Sequence, residues 1–301
     1  MTQPRPVVAG RTYMVTRRCT QRMYLLRPDP VMNQSFAYCL AVAAQRYGIA
    51  VQDLQVQSNH YHMKICDERG NYPEFLRYFH SLVARCINAL RGRWENLWAS
   101  EQPSMLHLAD ADANLGKGTY LLTNAVKDHL VDKVANWPGL CSYRYQLADK
   151  PMVVRRPKHF FDPGGGLPET VTLRFIRPRE FAHLSHEQWV ALLRREVTKA
   201  ERSAAQRRRE KKISLLGRRA VRRQSPFARP KTVAKRRGMV PRVATRNKWL
   251  RIEQLTQGER FRVRYRRALL LARSGLSATF PYGTYKLRSV VTCEPAPDPT
   301  C

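Results

Sequence analysis

The sequence predicts an α+β sandwich with an antiparallel sheet in its first half, followed by a basic extension of mixed helix and strand. Three observations predict it. Residues 11–130 read as strand, helix, strand, strand, helix, helix; two of the strands are separated by a two-residue turn; and the charge climbs abruptly from residue 194.

Thr12–Cys19 alternates as a strand should, and Asp29–Tyr47 opens with an acidic residue and Pro30 before Phe36, Leu40, Ala43 and Ala44 recur at helical spacing. Val51–Gln57 and His60–Cys66 are strand-like runs around a Ser58-Asn59 turn. Pro73–Leu90 carries one apolar stripe through Leu76, Phe79, Val83, Cys86, Ile87 and Leu90, with Pro73 in the first turn. A further helix is expected over Asp112–Leu130. The domain layout expected is a first domain over 1–150, a Pro/Gly linker over 151–168 and a basic extension over 169–301. In that extension Thr170–Ile176 and Thr284–Cys293 read as strands. A helix from His186 runs into Arg202–Lys212, a second covers Gln257–Ser274, and Leu215–Lys248 reads as a flexible or DNA-ordered arm.

The chain has 301 residues, with 54 Lys and Arg against 23 Asp and Glu, a formal net charge of +31. Such an excess opposes compaction unless a polyanion is near, which makes nucleic acid the leading partner class. Residues 1–150 hold 18 basic and 12 acidic residues; residues 194–267 hold 27 and 5. An anionic membrane surface or a ribosomal location are the plainer readings of that charge. The longest apolar run, Phe36–Ala44, is too short to span a bilayer, and Met1–Gly10 lacks the apolar core of a signal peptide. Seven scattered cysteines with no C-x-x-C spacing argue against a disulfide framework and fit a reducing cytoplasm.

In a strand His60 and His62 face the same side, close enough to share a metal ion, while Tyr61 faces the other. An H-x-H pair is more often exposed or hydrogen-bonded than metal-bound, so the next helix matters. At 100° per residue Lys117, Tyr120, Asn124 and Lys127 form one polar stripe, with Leu115, Leu122 and Val126 opposite to anchor the helix to the sheet. The plain reading of that stripe is a solvated helix face. Combined with the histidines, it predicts phosphodiester chemistry: a divalent cation on His60 and His62 polarises a phosphate, Asn124 adds an oxygen ligand, Lys117 and Lys127 steer the backbone, and Tyr120 attacks.

The pair resembles the HUH motif (His, bulky hydrophobic, His) of single-tyrosine transposases of insertion sequences. Tyr120-Leu-Leu-Thr-Asn124-Ala-Val126, Leu130-Val131, Asn136-Trp137-Pro138-Gly139 and Trp94-Glu-Asn-Leu-Trp98 resemble the segments around that family's tyrosine helix, and the REP-associated tyrosine transposases of bacteria are the nearest branch. The resemblance covers roughly residues 11–143. It implies a ferredoxin-like sheet carrying His60 and His62 as metal ligands, Tyr120 as nucleophile, Asn124 as third ligand, and Mg²⁺ or Mn²⁺ as cofactor. The implied substrate is single-stranded DNA folded into hairpins, cut by a monomer, with a dimer as the alternative. Members often have Pro where this chain has Ser58, and Asn-Pro-Val where it has Asn124-Ala125-Val126; the alanine is expected to make the helix more continuous.

Expected DNA contacts are Arg17 and Arg18 at the end of the first strand, Lys117 and Lys127 on the tyrosine helix, and the clusters Arg207-Arg208-Arg209, Arg222-Arg223 and Lys235-Arg236-Arg237. Trp249 is placed to stack on unpaired bases, whereas Phe261 and Tyr265 read as core of a small C-terminal unit. The leading function is thus a DNA endonuclease and strand transferase at the nucleoid. A relaxase or replication initiator, a protein that binds repeats without cutting them, and an RNA-binding protein are the rivals.

Overall fold

The computed structural model describes residues 3–233, 241–287 and 291–295. Its first half runs β1 (Arg11–Arg18), α1 (Pro30–Tyr47), β2 (Ile49–Val56), β3 (His60–Asp67), α2 (Tyr72–Arg91) and β4 (Ser104–Leu108). These four strands pair antiparallel in the order β2-β3-β1-β4, the ferredoxin-like arrangement expected from the sequence. Asp29 caps α1 by accepting from Met32 N at 2.8 Å, Pro30 occupies its first turn, and Gly48 ends it at φ 63°, a left-handed conformation that a Cβ disfavours.

The helices α1 and α2 cover one face of the sheet. Phe36, Leu40, Phe75, Phe79, Val83, Val15, Tyr61 and Met63 are buried together there. Residues 151–168, expected as a linker, contribute to this core: β5 (Met152–Arg155) pairs with β6 (Thr170–Leu173), and Met152, Val154, Phe161, Val171 and Leu173 are buried in it.

The other face of the sheet receives α3 (Ala111–Leu122), α4 (Asn124–Lys127) and, beyond them, α5 (Tyr143–Ala148). One continuous helix over 112–130 does not form. It stops at Thr123, whose hydroxyl donates back to the Thr119 carbonyl at 2.7 Å, and a single turn follows; His129 then turns left-handed at φ 57°. The alanine at 125 comes too late to prevent that break. Leu115, Leu122 and Val126, expected to anchor the helix to the sheet, do not do so, because the sheet face beneath is polar. They pack with Trp189, Leu193 and Val197 of α6 (His186–Glu210), an amphipathic helix opened by a Ser185–Gln188 capping box.

The stretch 215–248, expected as an arm, makes defined contacts where it is described. Leu216 N and Gly217 N donate to His129 and Leu130 carbonyls, α7 (Arg218–Arg223) buries Val221 in the α6 core, and β7 (Val243–Ala244) adds a parallel strand beside β4. The opposite sheet edge is covered by Leu140–Ser142, which bond along β2. The last long helix, α8 (Lys248–Arg273), starts nine residues before the expected Gln257 because Asn247 Oδ1 caps Trp249 N and Leu250 N. Of the strand expected over 284–293, the described residues give Thr292–Cys293 (β9), paired with Thr279–Phe280 (β8). Phe261 and Tyr265 are part of the packing against Phe280, and Trp249 is exposed. Among the described residues no helix is long and apolar enough to cross a membrane.

Candidate functional site

His60 and His62 sit at the start of β3, side by side on the face turned towards α3, with ring centroids 4.8 Å apart. Tyr61 points the other way, fully buried, with a 2.6 Å hydrogen bond between its hydroxyl and His80 Nε2. Alternation along the strand forces this division.

Each histidine is oriented from behind. His60 Nδ1 donates to Asn59 Oδ1 at 2.7 Å, and a 2.7 Å hydrogen bond joins His62 Nδ1 to Thr16 Oγ1 on the neighbouring strand, its register partner. With both Nδ1 atoms engaged, Nε2 is the nitrogen each ring offers to a ligand. Burial lowers both imidazole pKa values, that of His60 to about 4 with help from Arg18, and that of His62 well below 6.5 with help from His60. Both rings are therefore neutral at pH 7, the form that binds a metal.

Among the described residues no group of three or more His, Cys, Asp or Glu could hold a metal, so a third ligand among them would be another oxygen donor, such as a side-chain amide. Asn124 meets that description. It opens α4 four residues after Tyr120 and is largely buried. Gln55, which sequence reasoning missed, also meets it: it lies opposite His62 on β2, fully buried, and neither of its amide atoms has a hydrogen-bond partner. Two neutral imidazoles with an orphaned amide beside them make a mixed nitrogen and oxygen donor set, of a kind that divalent cations accept.

Tyr120 projects from α3 over the same face, its ring centroid 6.1 Å from that of His62 and 41% of the residue exposed. Lys127 Nζ lies 4.6 Å and Lys117 Nζ 5.7 Å from the ring centroid, so the polar stripe survives the break at Thr123. Lys127 is half-buried, and its pKa is lowered by desolvation, then by Lys117 and Arg207. Two ammonium groups this close to a phenol ring make a cationic setting that attracts a phosphate.

The helix comes this near the sheet at Gly118. A Cβ there would be 3.0 Å from both Asp53 Oδ2 and Lys64 Nζ, which form a buried ion pair, and Lys64 also donates to the Asn114 carbonyl at 3.3 Å.

The expected DNA contacts fall into groups. Arg18 is on the histidine face beside His60 and pairs with Glu101 at 3.4 Å. Arg17 is not there: it lies on the opposite face with its guanidinium 5.3 Å from the Trp98 ring centroid, among Tyr61 and His80. Adjacent strand residues cannot both face the site. Arg207 and Arg208, in the last turns of α6, are close enough to Lys127 and His129 to lower their pKa values. Arg209 is exposed beside them, and Arg222 and Arg223 are exposed on α7. Lys235, Arg236 and Arg237 lie outside the described residues.

Fold and site together define a ferredoxin-like sheet with a histidine pair facing a helical tyrosine. No protein-family model matches this chain, and no curated protein does. Among solved structures the chain is similar to a REP-associated tyrosine transposase bound to a REP hairpin, at 16% identity over 49% of this chain and 86% of that one, with a TM-score of 0.42. It is also similar to a protein of Deinococcus radiodurans provisionally assigned as a transposase, at 16% identity over 40% of this chain and 95% of that one, with a TM-score of 0.30.

Proposed function

We propose that this protein is a metal-dependent single-stranded DNA endonuclease and strand transferase, a transposase that acts on hairpin-forming repeats through a covalent phosphotyrosine. The observation that carries the reading is the convergence of a neutral histidine pair, each ring held through Nδ1, with Tyr120 between two lysines. His60, His62 and Asn124 would hold Mg²⁺ or Mn²⁺, which would supply Lewis-acid polarisation of the scissile phosphate.

The protein's own residues then have distinct tasks. Lys117 and Lys127 bring the backbone phosphate to the phenol. Tyr120 Oη gives up its proton to solvent and attacks phosphorus, the new P–O bond replaces the one to the leaving strand, and the departing 3′-oxygen takes up a proton from solvent to become a free 3′-hydroxyl. The phosphotyrosine keeps the bond energy, so a 3′-hydroxyl can reseal it by the reverse attack. Arg18, Arg207, Arg208, Arg209, Arg222 and Arg223 neutralise the strand on either side. Because one chain supplies both histidines and the tyrosine, a monomer suffices. Such a protein works in the cytoplasm, at the nucleoid.

The test is cleavage of labelled single-stranded hairpins from repeats flanking the gene, by wild type and Tyr120→Phe, with and without Mn²⁺. The expected result is an SDS-resistant protein–DNA adduct that needs the metal and is absent in Tyr120→Phe. Tight, salt-sensitive binding with no adduct under any metal would overturn the enzyme and leave a protein that binds palindromic repeats without cutting them.

A further inference from the structure

The sheet has a second feature on the face turned away from His60 and His62. A cavity of about 870 Å³ lies between β1, β4, the start of α2, the segment 3–8 and α8. Its floor is aromatic. Tyr13 and His107 are register partners across β1 and β4 with ring centroids 5.8 Å apart, and Tyr72 is 5.0 Å from Tyr13. The Tyr13 hydroxyl is buried without a good hydrogen bond, with the Arg11 guanidinium beside it.

The rim is cationic. Arg5, Arg11, Arg242 and Arg262 line the cavity, and its single lining carboxylate, Glu259, is paired with Arg262. Among the described residues no carboxylate pairs with Arg5, Arg11 or Arg242; Arg242 donates to Gln3 Oε1 at 2.6 Å. A purely apolar ligand would leave three guanidinium groups desolvated without an anion, at a cost. An inorganic anion would use neither the aromatic floor nor the volume, which is that of a site for an organic ligand.

We propose that this cavity binds a nucleotide unit, a heteroaromatic base joined to a phosphate, with the base on Tyr13, Tyr72 and His107 and the phosphate on Arg5, Arg11 and Arg242. Base–aromatic stacking and planar guanidinium–phosphate pairing are the two interactions that this side-chain set supplies. The unit is either a free mononucleotide or an unpaired nucleotide of a DNA strand that passes around the sheet edge. The site is separate from Tyr120 and does not depend on the chemistry proposed there.

The experiment is photo-cross-linking on the full chain with two probes: 8-azido-AMP, and single-stranded DNA carrying 5-iododeoxyuridine. Adducts are mapped by peptide mass spectrometry. Adducts on peptides that contain Tyr13, Tyr72 or His107 are expected, with a yield that falls about tenfold or more in Arg5→Ala and in Arg11→Ala. Arg5 lies in the chain segment before β1, so its variant keeps the test independent of folding, which a thermal melt verifies. Labelling by both probes, with AMP competing against the DNA, assigns the site to unpaired nucleotides; labelling by 8-azido-AMP alone assigns it to a free nucleotide. Absence of both adducts from those peptides, or yields unchanged in both variants, would overturn the proposal, whether or not Tyr120 forms its adduct.

Discussion

Lys64 Nζ and Asp53 Oδ2 are 2.5 Å apart in an almost fully buried ion pair, and α3 rests on that pair at Gly118. Asp53 is also held by Gln146, whose Nε2 donates to Oδ1 at 2.6 Å. The tyrosine helix is thus seated on a charged contact on one side and on the apolar α6 core on the other.

Lys64→Met removes one charge and leaves Asp53 buried without its counter-ion, which costs about 3–5 kcal/mol. The double variant Lys64→Met, Asp53→Leu removes both charges and is expected to recover most of that loss. Urea unfolding of the two variants decides this. A single variant as stable as wild type would mean that water reaches the pair.

Thr16 and Asn59 act on the site through the histidines. Thr16→Val removes the hydrogen bond that fixes His62 Nδ1 and is expected to weaken Mn²⁺ binding roughly 10–100-fold, with the fold intact. Calorimetric titration with Mn²⁺ reads the loss. Equal affinity in Thr16→Val and wild type would remove Thr16 from the site.

Much of this arrangement was legible in the sequence, and the remainder shows what local pattern omits. Strand alternation alone put His60 and His62 together and Tyr61 in the core. Helical spacing alone put Lys117, Tyr120 and Lys127 on one stripe. The same alternation would have excluded Arg17 once Arg18 was placed beside His60. Thr16 and Gln55 were not legible, because both owe their place to cross-strand register with His62. The partner of Leu121, Leu122 and Val126 was not legible either. It is α6, from the basic half, so the expected boundary near residue 150 runs through a shared core. Pro and Gly drew attention over 151–168, while the alternating Met152 and Val154 carried the structural signal.

Stability should fall on the acid side. His80, buried beside Tyr61, has its pKa held well below 6.5 by desolvation and then by Arg17; His107 is lowered to about 4 by desolvation and then Arg11. His60 and His62 are lowered as well. The unfolded chain binds these protons near the ordinary value of about 6.5, whereas the native state refuses them until lower pH. Between roughly pH 6.5 and 4 the unfolded state therefore holds more protons, and stability rises with pH across that window. Thermal melts should show a flat Tm above pH 7 and a decline below 6.5, shallower in His80→Gln. An acid decline just as steep in His80→Gln would clear His80 of any part in it.

Arg207 and Arg208 lie at the end of α6 within electrostatic reach of Lys127 and His129, so a strand drawn to Tyr120 passes them. Each guanidinium that neutralises one phosphate of a single strand contributes about 0.7 to the slope of log K against log salt. Arg207→Gln and Arg208→Gln should each lower that slope by about this amount and weaken hairpin binding without regard to loop sequence. Arg195→Gln, more than two turns earlier on the same helix and paired with Glu196, should leave the slope unchanged. Fluorescence anisotropy with labelled hairpins across a salt series measures all three. Unchanged slopes in Arg207→Gln and Arg208→Gln would move the strand's path off α6 and onto α7, where Arg222 and Arg223 are exposed.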